Sequence, residues 1–155
     1  MRDQCIVVIF CLILQAVSRC DAVSGSTIAR KARSYIGNTR WSEASNYQGL
    51  RGEPKCNIFV ADVMNEVGGS VPARYGFRGI IGAGEWGSRW SIHLGVSPCW
   101  RNVRSPNIGD VIGAGGHVGI MTQRDKTTSA GTYSVVENDW GFRSGQNPAY
   151  WRYTC

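Results

Sequence analysis

A cysteine and a histidine are the two residues of this sequence best suited to chemistry. Cys56 begins a run with helical apolar spacing, CNIFVADVMNEVGG, and His117 follows two glycines and begins the β-branched run HVGIMTQ. A cysteine at a helix start lies near unpaired backbone N–H groups and the positive end of the helix dipole, and both stabilise the nucleophilic thiolate. An imidazole is the usual acid–base partner of such a thiol. The pair predicts covalent catalysis by a cysteine.

A histidine base works best when a third polar group fixes its tautomer and orientation. The run VVENDW offers candidates, because strand alternation puts Glu137 and Asp139 on one face and Asn138 on the other. We favour Glu137 or Asp139 over Asn138. The second histidine, His93, has no comparable setting, and two histidines are a poor ligand supply for a catalytic zinc ion. We therefore expect neither a metal nor an organic cofactor.

The first 22 residues have the layout of a secretory signal peptide. Arg2 precedes an apolar run over residues 5–14, and small residues follow near Ala22, after which we expect cleavage. The apolar run is shorter than the roughly 20 residues that a bilayer span needs. These features predict a secreted, extracellular protein without stable membrane insertion.

Residues 23–155 contain three cysteines, which cannot all pair within one chain. Cys99 and Cys155 lie in irregular or terminal sequence, and we predict a disulfide between them. Cys56 would then stay free as the reactive group. Pairing of Cys56 with either of the others is the alternative, and it would remove the nucleophile.

Length and charge limit the choice of architecture and partners. The chain has 155 residues, enough for one domain with a hydrophobic core. Its net charge is +6, and removal of residues 1–22 leaves this value unchanged because two basic and two acidic residues are lost. Such an excess attracts anionic polymers, among them bacterial envelopes, sulfated glycans and nucleic acid.

Two helices are predicted ahead of the strands. Ser24 or Ser26 caps the first, with Ile28, Ala32, Tyr35 and Ile36 on one face and Gly37 at its end. The second helix starts at Cys56, is mostly buried and ends at a glycine pair. Residues 70–107 are interpreted as loops with one short helix around residues 85–90, where the string GAGEWG matches a nucleotide-binding pattern by chance.

The last third of the chain predicts strands. The runs DVIGA, HVGIMTQ and TYSVVEND are separated by GG and by RDKTTSAG, which indicates an antiparallel meander, and residues 150–153 add a further strand. Helices followed by strands predict an α+β domain with its helices on one side of the sheet.

Three blocks of the sequence resemble motifs of NlpC-type and CHAP-type peptidoglycan amidases. They are KCNIFVADVMNEVGG, GDVIGAGGHVGIM and VVENDWGFR, in the order Cys, His, polar residue. The resemblance is strongest to the second family of amidase effectors of bacterial type VI secretion and to the domesticated amidase effectors of some animals. Lys55 and Asn57 depart from the pattern, because many NlpC-type enzymes have Asp and Ser at these positions.

The resemblance implies a single papain-like amidase domain over residues 23–155, with N-terminal helices packed on an antiparallel sheet. It implies Cys56 as nucleophile, His117 as base and Glu137 or Asp139 as the orienting group. The implied activity is hydrolysis of stem-peptide or cross-link amides of peptidoglycan, with the bond from D-alanine to diaminopimelate favoured over the link to γ-D-glutamate.

The expected partners are bacterial peptidoglycan and the anionic bacterial envelope rather than nucleic acid. We expect a monomeric protein with a defensive, antibacterial role. Two alternatives stay open: a non-catalytic basic protein that binds walls or disturbs membranes, and a cysteine peptidase that acts on ordinary proteins.

Overall fold

A computed structural model describes residues 22–74 and 79–155, so residues 1–21 of the predicted signal peptide lie outside the described part. A set of short helices comes first: α1 (Gly25–Arg33), a 3-10 turn (Tyr47–Gly49), α2 (Cys56–Glu66), α3 (Ala83–Trp86) and α4 (Ile92–Gly95). Six strands follow: β1 (Trp100–Val103), β2 (Val111–Ala114), β3 (His117–Gln123), β4 (Lys126–Ala130), β5 (Val135–Asn138) and β6 (Ala149–Tyr153).

Helix α1 begins where predicted, but it ends at Arg33 and not at Gly37 as expected. The Ser24 side chain accepts a hydrogen bond from the backbone N–H of Thr27, as expected of an N-cap residue. Ile28 and Ala32 are buried, but Ile36 is exposed. The helix ends at Arg33, so Ile36 lies beyond the helical repeat that would have turned it inward.

Helix α2 is buried on most of its surface, as predicted. Its buried residues are Cys56, Ile58, Phe59, Val60, Ala61, Val63 and Met64. The helix packs against α1, β3 and β4, which explains why so much of its circumference is apolar. Gly68 follows with φ +82°, a left-handed conformation that glycine adopts without a Cβ penalty.

The strands form one antiparallel sheet in the order β1-β6-β2-β3-β4-β5. Strands β2 to β5 are neighbours in chain order, which confirms the antiparallel meander, and the α+β class is confirmed. Strand β4 lies in the stretch interpreted as a connection between strands, and that interpretation was wrong. Residues 127–130 of this strand are buried because it pairs with β3 on one side and β5 on the other.

The helices cover one face of the sheet. Val118 and Ile120 of β3 join Ala130, Val135 and Trp151 in the core that α1 and α2 complete. Gly113 of β2 permits α3 to approach, because a Cβ there would lie 2.4 Å from the carbonyl carbon of Trp86. Within the described ranges, no helix is long and apolar enough to cross a bilayer.

The predicted disulfide is confirmed. Cys99 precedes β1 and Cys155 follows β6, and the bond between them joins the ends of two paired strands. Cys56 is a free, buried thiol. The sulfur proposed as nucleophile is therefore not held in a covalent bridge.

Candidate active site

Cys56 is the first residue of α2 and is only 3% exposed. Hydrogen bonds from the backbone N–H groups of Val118, Asn57 and Cys56 itself favour its thiolate. Burial acts in the opposite direction and is the larger effect, so the pKa of the Cys56 thiol is raised. The stabilising N–H groups expected at a helix start are present. Because the pKa is nevertheless raised, the Cys56 side chain is a protonated thiol in the unliganded protein.

The sulfur contacts β3 at Val118, outside the residues through which β3 pairs with β4. Strand β3 is paired with β2 from His117 onward, whereas its pairing with β4 begins at Ile120 and Thr128. The backbone N–H of Val118 interacts with the Cys56 sulfur. Since Val118 follows His117 directly, the fold brings the sulfur to the backbone of the predicted base.

The His117 side chain is held by two groups. Its Nε2 lies 3.0 Å from Ser129 Oγ, and its ring meets the Trp140 ring edge to face at 4.7 Å between centroids. Burial lowers the pKa of His117. With Nε2 engaged by Ser129, Nδ1 is the ring nitrogen left for the thiol.

No hydrogen bond joins the Cys56 thiol to the imidazole in the described part of the chain. The imidazole instead bonds Ser129, and the sulfur bonds the neighbouring peptide. Catalytic hydrogen bonds of unliganded enzymes are often long and tighten only in the substrate complex. Catalysis by this pair would require a hydrogen bond between Nδ1 and the sulfur to form when substrate binds.

Ser129 was not among the predicted site residues, because residues 126–130 were expected to connect strands and not to form β4. Its approach to His117 depends on Gly119, where a Cβ would lie 2.8 Å from Ser129 Cβ and 2.9 Å from the carbonyl oxygen of Thr128. The available signal was the β-branched pair Thr127 and Thr128, a residue type enriched in strands. The absence of apolar residues before Ala130 hid this strand.

Trp140, which packs on the imidazole, is fixed by two side chains. Thr127 Oγ1 donates to its carbonyl oxygen at 2.7 Å, and Asn138 Oδ1 accepts from its N–H at 2.9 Å. Asn138 therefore influences the position of the His117 ring indirectly, by holding Trp140 against it.

Glu137 and Asp139 are engaged away from His117. Glu137 Oε2 pairs with Arg33 Nε at 2.9 Å and accepts from Thr122 Oγ1 at 2.7 Å. Asp139 is exposed and pairs with Arg143, which is the main cause of its lowered pKa. The structure brings neither carboxylate to the imidazole, and Ser129 occupies the position expected for one of them.

No protein-family model, curated protein or solved structure matches this chain. Among residues 22–74 and 79–155, no group of three His, Cys, Asp or Glu side chains is arranged to hold a metal ion.

The residues on either side of Cys56 each hold a neighbouring loop. Lys55 is 1% exposed, and its Nζ donates to the carbonyl oxygens of Ser42, Glu43 and Glu53 at 3.0, 3.3 and 2.9 Å. The sequence departs from the NlpC-type pattern at Lys55, and the ammonium group holds loop 42–53.

Asn57, which follows Cys56 in the chain, also holds a neighbouring segment. Its Nδ2 donates to the carbonyl oxygen of Ile81 at 3.2 Å, which fixes the segment that leads into α3. Lys55 and Asn57, the two departures from the NlpC-type pattern, thus each attach a loop to the start of α2.

Proposed function

We propose that this protein is a secreted cysteine hydrolase of papain-like fold that cleaves amide bonds in the peptide part of bacterial peptidoglycan. One observation carries the proposal: the free Cys56 sulfur, at the start of a helix, meets the strand backbone beside His117. The hydrogen bond from that imidazole to a polar group on the next strand supports it further. A helix-start cysteine, a strand-start histidine and a third polar group are the parts that the motif resemblance implies.

The reaction begins from a thiol and a neutral imidazole, because burial raises the pKa of Cys56 and lowers that of His117. Nδ1 of His117 takes the thiol proton as the sulfur attacks the amide carbonyl carbon. The backbone N–H groups at the start of α2 stabilise the oxyanion. The imidazolium then gives its proton to the amine nitrogen as the C–N bond breaks and a thioester forms.

Water completes the cycle. His117 takes a proton from the water that attacks the thioester carbonyl, and it returns a proton to the sulfur as the C–S bond breaks. The products are a carboxylic acid and an amine, and the thiol is restored. Ser129 acts throughout as a positioning residue, since its hydroxyl oxygen accepts from Nε2–H in both the neutral ring and the imidazolium.

The substrate class rests on the resemblance and on two bulk properties. The resemblance favours the bond from D-alanine to diaminopimelate. The net charge of +6 supports attraction to an anionic bacterial envelope, and a disulfide supports an oxidising, extracellular location. These properties together support an antibacterial role as part of the proposal.

Digestion of purified sacculi tests the proposal. Mass spectrometry of the released fragments is expected to find new D-alanine carboxyl ends and free diaminopimelate amines. Cys56→Ala and His117→Ala are expected to abolish these ends while circular dichroism reports an intact fold. Substantial turnover by Cys56→Ala would reject the assignment.

Two further outcomes would support the alternatives. Bacterial killing that is undiminished in Cys56→Ala would favour a non-catalytic wall-binding or membrane-active protein. Cleavage of ordinary L-peptides without any cleavage of sacculi would favour a general cysteine peptidase.

A further inference from the structure

Helix α4 and its flanks expose three large apolar side chains. Trp90, Ile92 and Val96 are 91%, 62% and 75% exposed. The backbone N–H of Val96 donates to the carbonyl oxygen of Ile92 at 3.0 Å, so these two side chains are one helical turn apart. Leu94 is buried and anchors the segment. A monomeric protein seldom concentrates such exposed apolar area without a use for it.

The other exposed large apolar residues are dispersed along the chain. They are Ile36, Leu50, Ile108, Tyr133 and Val136. Scattered residues of this kind are normal on protein surfaces and need no partner. The cluster at α4 differs because its three members fall within seven residues.

Two arginines border this apolar cluster. An open depression of about 510 Å³ is lined by Arg89, Val96 and Arg101. Arg89 Nη2 donates to Asn147 Oδ1 at 2.9 Å, and Arg101 Nη1 donates to the carbonyl oxygen of Trp100 at 2.9 Å. Neutral acceptors therefore orient both guanidinium groups.

Both positive charges are available to an external anion. Within the described ranges, neither Arg89 nor Arg101 forms an ion pair. Glu85, an acidic residue of the preceding helix, is half-buried and accepts from Ser91 Oγ at 2.6 Å. The surface thus combines fixed cationic groups with exposed apolar side chains.

We propose that Trp90, Ile92, Val96, Arg89 and Arg101, called here the α4 surface, dock the protein on an anionic lipid membrane. Guanidinium groups beside an exposed tryptophan suit the interface of a bilayer, where phosphates meet acyl chains. A hydrophilic polyanion would engage the arginines and leave the apolar side chains without partners. Docking is peripheral, and it goes beyond the proposed hydrolase activity and does not use Cys56.

Co-sedimentation of the intact protein with lipid vesicles tests this inference. Vesicles of phosphatidylglycerol and phosphatidylcholine are expected to bind at least tenfold more strongly than phosphatidylcholine alone, with binding weakened by salt. Trp90→Ser is expected to lower the partition coefficient about tenfold. Arg101→Gln is expected to lower it about fivefold, the ratio that corresponds to one basic residue near an anionic surface.

Two matched variants serve as controls. Tyr133→Ser removes an aromatic side chain that is 86% exposed elsewhere, and Arg124→Gln removes an exposed charge from the β3–β4 turn. Both are expected to bind within twofold of the unaltered protein. Cys56→Ala is expected to bind fully, so loss of hydrolysis and loss of docking are separate results.

Three results would overturn the inference. The first is equal loss of binding in Trp90→Ser and Tyr133→Ser. The second is full inhibition of vesicle binding by soluble polyphosphate in both the unaltered protein and Trp90→Ser, which would make the interaction purely ionic. The third is self-association in sedimentation velocity that Trp90→Ser abolishes, which would assign the α4 surface to a second copy of the chain.

Discussion

Burial and hydrogen bonding have opposite effects on the pKa of the Cys56 thiol. Backbone N–H groups stabilise its thiolate, whereas removal from water penalises any charge, and the pKa is raised on balance. Burial also disfavours the charged form of His117 and lowers its pKa. Both shifts favour the neutral pair over the thiolate–imidazolium pair. Proton transfer is therefore expected to accompany nucleophilic attack rather than precede it.

The pH dependence of Cys56 alkylation follows from this balance. A raised pKa means that less thiolate is present at pH 7 than for an exposed cysteine. We expect iodoacetamide to modify Cys56 slowly at pH 7 and much faster only above the ordinary cysteine range near 9. Peptide mapping by mass spectrometry gives the rate at each pH. A rate that reaches its plateau below pH 8 would contradict the raised pKa.

Ser129 is expected to matter for turnover more than either carboxylate of the VVENDW run. Ser129→Ala removes the hydroxyl that holds Nε2, and we expect kcat to fall about tenfold or more with KM nearly unchanged. Ser129→Thr keeps the hydroxyl and should restore part of the rate. Steady-state kinetics on soluble wall fragments give both parameters.

Asp139→Asn is the control for Ser129→Ala. Asp139 forms an exposed ion pair with Arg143, and solvent screens such pairs so that they contribute little to stability. We expect this variant to keep kcat within twofold. A loss equal to that of Ser129→Ala would return the orienting role to Asp139.

At the scale of elements, the buried ammonium of Lys55 connects loop 42–53 to the start of α2. Lys55→Met would leave the carbonyl groups of Ser42, Glu43 and Glu53 without a donor. We expect a loss of about 3 kcal/mol in the free energy of unfolding, measured in urea. Freed from its anchor, loop 42–53 is also expected to be cut faster by trypsin after Arg51.

Lys126→Met is the matched control for this variant. Lys126 is exposed at the start of β4, so its replacement should change the free energy of unfolding by less than about 0.5 kcal/mol. Equal urea midpoints for Lys55→Met and the unaltered protein would show that the three contacts do not hold the loop.

The elements that sequence predicts well are those with strong periodicity and clear stops. Helix α2 combines continuous apolar spacing with a glycine pair, and β3 is β-branched and apolar. Strand β4 is polar in sequence and is buried only because β3 and β5 pair with it. Strand β1 depends on pairing with β6, about 50 residues later in the chain, which no local pattern reveals.

The helix expected around residues 85–90 is instead two shorter helices. Helix α3 ends at Trp86, and Ser91 caps α4 by accepting from the N–H of Leu94. Gly87 and Ser88 between them have low helix propensity, so continuation past Trp86 is unfavourable. This break places Trp90 on the surface between the helices.

The hydrogen bond between His117 and Ser129 could not be predicted from local sequence, because it depends on how strand residues alternate between the two faces of the sheet. Ile120 pairs with Thr128, and Thr128 pairs with Glu137, so Glu137 shares the helix-covered face with Ile120. His117 is the first residue of β3 and alternates with Ile120, and its Nε2 bonds Ser129 of β4. Only the register across three strands reveals that Ser129, and not Glu137, is the polar group next to the imidazole.

At the scale of the whole molecule, the disulfide and the candidate site lie in different parts of the sheet. Cys99 and Cys155 join the ends of β1 and β6, whereas the Cys56 sulfur contacts the Val118 N–H, next to His117 in β3. Strand β2 lies between these two regions in the sheet order. We therefore expect the disulfide to stabilise the edge strand β1 without changing the geometry of the candidate site.

Removal of both disulfide cysteines separates these two roles. The bond closes a loop with a sequence separation of 56, which corresponds to about 4 kcal/mol of stabilisation in the chain-entropy account. We expect the double variant Cys99→Ala, Cys155→Ala to lose about this amount in urea unfolding while keeping kcat at 25 °C, because β2 and β3 retain their pairing. Cys56→Ala should show the reverse, with stability kept and turnover lost. A double variant that stays folded yet loses turnover would mean that β1 and β6 help to position the site after all.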